Sequence, residues 1–168
     1  CWGTRVIDAF SRIVRLGEGV ATNNRLSEDA MERTVEALKV CAGKLRRARV
    51  DRLRCVATEA CRRAENCAEF VERVARETGI ELETISTAEE ARLALNGCTP
   101  LLNPNASHAL VFDIGGGSTE VVWLDIRGAT PDIIGWVSMP LGVVTISERY
   151  KSGPMKRAYY DGLIAEVD

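Results

Sequence analysis

The chain has 168 residues, 46% hydrophobic and 27% charged, with 22 Lys and Arg against 24 Asp and Glu, a composition that suits one globular domain, or one domain and part of another. A net charge of −2 gives no long-range field for nucleic acid or an anionic membrane, so a polyanionic ligand has to be held by a local cluster of basic groups. No apolar run approaches the ~20 residues of a membrane span, and the six cysteines contain no C-x-x-C pair that His108, the single histidine, could complete as a zinc site.

Cys41 and Cys67 fall on apolar stripes, which fits buried thiols in a reducing cytosol better than a disulfide framework. His108 lies in a loop before a strand and is given no role. The opening residues, Cys-Trp-Gly-Thr-Arg, contain neither an initiator Met nor an apolar signal segment, so the chain is read as beginning mid-protein.

In chain order, the Val-, Ile- and Phe-rich stretch from Arg5 to Leu16 reads as an extended strand, stopped by Gly17-Glu-Gly19. It calls for partner strands upstream of Cys1. Ser27 is an N-cap, Glu28 and Asp29 suit a first turn, and Met31, Val35, Leu38, Ala42 and Leu45 recur at helical spacing. The basic run Lys44 to Arg49 complements the dipole at the end of that helix. Leu53 to Ala57 is a short strand, and Thr58 to Glu65 follows its carboxyl end, the edge where open α/β sheets bind ligands. Asn66 and Glu69 have capping-box spacing before a helix with Phe70, Val71 and Val74 on one face, stopped by Gly79. Ile80 to Ile85 is another strand, and a further helix opens at Thr87 and runs to about Gly97. Glu90 stands three residues after Thr87, and spacing alone favours a capping box over the alternative, a general base at the same edge as Thr58 and Arg62.

Thr99 to Ser107 is a loop and the expected lobe boundary, dividing the chain into 1–107 and 108–168. The stretch Val111-Phe-Asp-Ile-Gly-Gly-Gly-Ser-Thr-Glu120 then reads as strand, tight turn, strand. Triple glycine permits positive φ and lets backbone N–H groups converge on phosphate oxygens, with the Ser118 and Thr119 hydroxyls as further donors. Asp113 would face those phosphates and is a candidate ligand for Mg²⁺. The competing reading, a glycine-rich hairpin whose Asp caps a turn, is outweighed by Asp before the glycines and Ser-Thr-Glu after them. The motif is not a P-loop, because no Gly-Lys-Ser/Thr follows and a strand comes next. After it come a turn near Asp125 to Gly128, a strand from Ile133 to Met139, a break at Pro140-Leu-Gly142, a helix from about Val143 to Tyr150, and a short helix from Pro154.

Arg15-Leu-Gly-Glu-Gly19 with Arg25-Leu-Ser-Glu28, Thr58 with Arg62 and Asn66, Glu89-Glu-Ala-Arg92, Asp113 to Glu120, and Pro140-Leu-Gly-Val-Val together resemble the exopolyphosphatase/guanosine pentaphosphate phosphohydrolase family, over nearly the whole chain to about Tyr150. The resemblance implies an α/β fold of actin-like ATPase (ribonuclease H-like) type, with helices on a mixed sheet, comprising most of a first lobe and the start of a second. The family's first phosphate hairpin has no counterpart here, and its second lobe is incomplete. It implies Glu90 as catalytic base, Arg62 and Thr58 at a phosphate, Asp113 at Mg²⁺ or its water, Gly115, Gly116, Gly117 and Ser118 around the terminal phosphates, and Glu120 as an acid near the same site. It further implies polyphosphate or guanosine pentaphosphate as substrate, a cytoplasmic homodimer as the complete protein, and a fragment inactive by itself. The alternatives are an actin-like kinase or ATPase, and a sensor that binds an alarmone without turning it over.

Overall fold

Ser27 starts the longest helix of the computed structural model, which describes residues 5–149 and 157–167. A first helical turn, α1 (Val20–Asn23), precedes that helix, α2 (Glu28–Ala48). Ser27 is extended and its hydroxyl accepts from the Ala30 N–H, while Glu28 and Asp29 sit at the positive end of the dipole and Arg46 and Arg47 at the negative end. Val35 is wholly buried, Met31 and Ala42 nearly so. Strand β1 (Cys55–Ala57) leads through α3 (Glu59–Arg63) and α4 (Cys67–Thr78) to β2 (Leu82–Thr84). β1 and β2 pair in parallel, Cys55 opposite Leu82 and Ala57 opposite Thr84, as a crossover connection requires. Phe70 and Val74 of α4 pack with Val35 of α2 in the first core. Gly79, at φ 72°, ends α4.

The second core joins α5 (Thr87–Cys98) to an antiparallel meander of β3 (His108–Ile114), β4 (Thr119–Asp125) and β5 (Asp132–Met139). Ala91 and Leu95 of α5 cover Val111, Val122 and Leu124. On the opposite face Leu110, Phe112, Ile114 and Trp123 are exposed. Helix α6 (Val143–Arg149) follows β5, and α7 (Arg157–Val167) closes the described chain. The expected start of that last helix at Pro154 lies outside the described residues.

Several expectations are corrected. Residues 5–15 form no strand. Val6, Ile7 and Ile13 are exposed, and among the described residues no neighbouring edge satisfies their backbone, without which β propensity does not make a strand. The strands form two sheets, one parallel and one antiparallel, where a single mixed sheet was expected. Asn66 does not cap α4. Its buried amide instead accepts from the Leu26 N–H at 2.8 Å and donates to the Leu26 carbonyl at 3.1 Å. Cys41 and Cys67 are only half-buried, and among the described residues Cys61 is the buried thiol, pushed up to about 12, chiefly by burial.

Candidate functional site

The turn between β3 and β4 is closed by Gly115 N–H donating to the Ser118 carbonyl at 2.9 Å. None of its three glycines has positive φ. Crowding bears on one of them, Gly117, and on Gly142 beyond the hairpin. A Cβ on Gly117 would meet Glu59 Cγ at 2.9 Å, and one on Gly142 would meet the Gly116 carbonyl oxygen at 2.4 Å. The second contact reflects how α6 docks: Val143 N–H donates to Gly115 O at 3.0 Å and Val144 N–H to Gly116 O at 2.9 Å. Those peptides are trans, so the N–H groups of Gly116 and Gly117 point the opposite way, off the helix. Among the described residues neither has an acceptor. Ser118 is buried, and its hydroxyl has no partner among the described residues. Thr119 is not available as a donor, because its hydroxyl is committed to the Leu141 carbonyl at 2.6 Å. The turn therefore leaves two amides and one hydroxyl without acceptors, donors of the kind that can hold a small anion.

Glu90 is not a helix cap. The N-cap of α5 is Ser86, whose hydroxyl accepts from the Glu89 N–H. This places Glu89 at the third helical position and Glu90 one residue beyond the reach of a capping box. Its Oε2 accepts from Arg62 Nη1 at 2.8 Å, and the same nitrogen donates to the Ile85 carbonyl at 2.9 Å. The other edge of the guanidinium, Nε and Nη2, holds Glu59 Oε2 at 3.3 and 2.9 Å. Burial works against the Arg62 charge, but Glu90 and Glu59 outweigh it and hold the group above its ordinary value. Because the Glu59 stem lies against Gly117, this triplet abuts the glycine turn.

Asp113 and Glu120 are directly opposed across β3 and β4, so both side chains stand on one face of the sheet. Glu120 is 1% exposed, and its Oε1 accepts from Ser138 at 2.8 Å. Opposed carboxylates repel unless a cation lies near. The donor set suits a hard divalent ion that takes one or two carboxylates and completes its shell with water and phosphate oxygens. Among the described residues no group of three His, Cys, Asp or Glu side chains forms a closed metal cage.

The structure thus joins Arg62 to Glu90 and brings Gly117 to Glu59 beside them, with Asp113 and Glu120 at the root of the same hairpin. Thr58, Glu59, Gly116 and Gly117 also line a cavity of about 470 Å³ against Leu16 and Val144. Arg62, Glu90, Asp113 and Glu120 do not line it. Sequence reading missed Glu59, although its place three residues before Arg62 was visible. It also missed Glu148, which accepts from the Gly19 N–H at 2.7 Å. Nothing local signals a contact between residues so far apart.

Solved structures place the chain in a known family. The chain is 37% identical to an exopolyphosphatase-like protein over 94% of its own length and 49% of that chain, with a TM-score of 0.83. It is 36% identical to the Aquifex aeolicus Ppx/GppA protein, covering 89% of this chain and 48% of that one at a TM-score of 0.66. With an exopolyphosphatase from Cytophaga hutchinsonii the identity is 27%, the coverage 92% and 51%, and the TM-score 0.75. The chain therefore spans about half the length of these relatives. The fold is the actin-like ATPase fold of these proteins. Residues 4–158 match the model of the Ppx/GppA phosphatase family, and to that family the chain belongs.

Proposed function

We propose that the protein hydrolyses the terminal phosphoanhydride of inorganic polyphosphate, of guanosine pentaphosphate, or of both. The observation that carries this reading is the glycine turn, whose carbonyls are bound by α6 while the Gly116 and Gly117 amides and the Ser118 hydroxyl stay open beside the Arg62–Glu90 pair. Membership of a phosphatase family supports it.

In this reading the Gly116 and Gly117 amides and the Ser118 hydroxyl hold the terminal phosphate, Gly115, whose own amide closes the turn, shapes their seat, Thr58 adds a hydroxyl from the start of α3, and Arg62 neutralises an equatorial oxygen. Glu90, oriented by its bond to Arg62, takes a proton from the attacking water. The water oxygen bonds to phosphorus, the bridging P–O bond breaks, and its electron pair leaves on the shortened chain. Asp113, with Glu120 opposite, would hold Mg²⁺ through oxygen ligands or water, and the ion's charge would offset that of the phosphate chain. Ser138 keeps Glu120 in place.

Glu90→Gln tests the role of Glu90. A neutral amide cannot accept the proton, so phosphate release from polyphosphate and guanosine pentaphosphate by the complete protein should fall ~10²–10⁴-fold, while the melting temperature changes little. Near wild-type turnover on both substrates would remove Glu90 from the chemistry.

A further inference from the structure

Arg62 has no idle nitrogen. Nη1 serves Glu90 and the Ile85 carbonyl, and the Nε–Nη2 edge, the fork that takes oxyanions in bidentate fashion, is filled by one oxygen of Glu59. Two carboxylates on one guanidinium leave the cluster with a net charge of about −1, a poor seat for a polyanion. The Glu59 stem also lies against Gly117, so this side chain occupies the gap between the glycine turn and the arginine. The three side chains are only 15–20% exposed, where bulk-water screening is weakened.

We propose that Glu59 is a specificity-determining residue: in the free protein its carboxylate occupies the Arg62 edge that a substrate phosphoryl oxygen takes, and binding must displace it. This rests on the reading of Arg62 as a phosphate-binding group. A linear phosphoanhydride chain, which also engages the turn amides and brings a divalent cation, outcompetes the carboxylate. Orthophosphate has fewer contacts and less charge, and does not. The internal carboxylate thereby selects chain ends over single phosphates and expels the product.

The test is titration calorimetry of the 168-residue chain with magnesium tripolyphosphate and with orthophosphate. The variants are Glu59→Gln, which keeps the shape and removes the charge, Glu59→Ser, which empties the seat, and the control Glu83→Gln, which makes the same change of net charge at the exposed Arg54 pair. Both Glu59 variants should bind tripolyphosphate about tenfold more tightly, the loss of roughly one competing charge-assisted hydrogen bond, and gain measurable orthophosphate binding. Glu83→Gln should match wild type. In the complete protein, Glu59→Gln should lower KM and strengthen product inhibition without raising kcat. Glu59 variants that bind as wild type does, or more weakly, while wild type binds tripolyphosphate, would overturn the role of Glu59 and leave the phosphate site standing. Absence of tripolyphosphate binding in wild type and all variants would overturn both.

Discussion

Asn66 shows how far a residue's chemistry outruns its local spacing. Its amide makes two hydrogen bonds to the backbone of Leu26, forty residues away, at a site 4% exposed. Asn66→Ala should cost ~1–3 kcal/mol by leaving a buried donor and acceptor unpaired. Asn66→Asp should cost at least as much, because a carboxylate cannot donate to the Leu26 carbonyl. A helix cap would behave differently, since Asp caps as well as Asn. Urea unfolding of the two variants separates these outcomes, and an Asp variant as stable as wild type would restore the cap. Glu90 carries the same lesson in a subtler form. Ser86 and Thr87 are both competent caps, and the choice of Ser86 shifts the box by one residue, which releases Glu90 for Arg62.

Among elements, α2 and α4 are joined on their outer faces by ion pairs as well as by their shared core. Arg73 contacts Glu28, Glu32 and Glu77, and Lys39 reaches Glu77 at 2.9 Å. Lys39 first and Arg73 second pull Glu77 from 4.5 down to about 2. A depressed carboxyl contributes stability that is present above its unfolded value and lost as pH falls through the folded one. Thermal melts should therefore show a loss between about pH 5 and about pH 2 that is smaller in Glu77→Gln. Equal losses in variant and wild type would assign the acid sensitivity elsewhere. These helices were legible because their caps and stripes are local: Ser27, Gly79 and the Met31, Val35, Ala42 series lie where spacing placed them. The stretch before Leu16 was misread because a strand is defined by its partner, and Val, Ile and Phe content carries no information about whether one is at hand.

On the scale of the whole molecule, described residues before and after the Thr99–Ser107 loop meet in the core that α5 shares with β3 and β4, and at two contacts nearer the glycine turn. Glu59 rests on Gly117, and Glu148 ties α6 to Gly19. The hairpin and its glycine turn followed from the sequence, as did the placing of the Arg62 and Glu90 regions at one edge. What the sequence could not convey was the reason for Gly117 and Gly142, because their crowding against Glu59 and the Gly116 peptide joins segments far apart in the chain. Gly142→Ala tests that reason. Its methyl would sit 2.4 Å from the Gly116 carbonyl, so the variant should lose ~1–3 kcal/mol and weaken tripolyphosphate binding. Unchanged stability and binding would show that the turn does not depend on this approach.

The carbonyls of Gly115 and Gly116 grip the first amides of α6 through the same peptide planes whose N–H groups face outward. A rigid plane cannot turn one end without the other. An anion held by those N–H groups would therefore also fix the seat of α6, with the glycine peptides as the lever and Glu148, anchored at Gly19, near the far end of the helix. Amide exchange at Val143 and Val144 should slow when tripolyphosphate binds, although neither amide touches the ligand. Exchange that slows only at Gly116 and Gly117 would mean that the lever is not engaged.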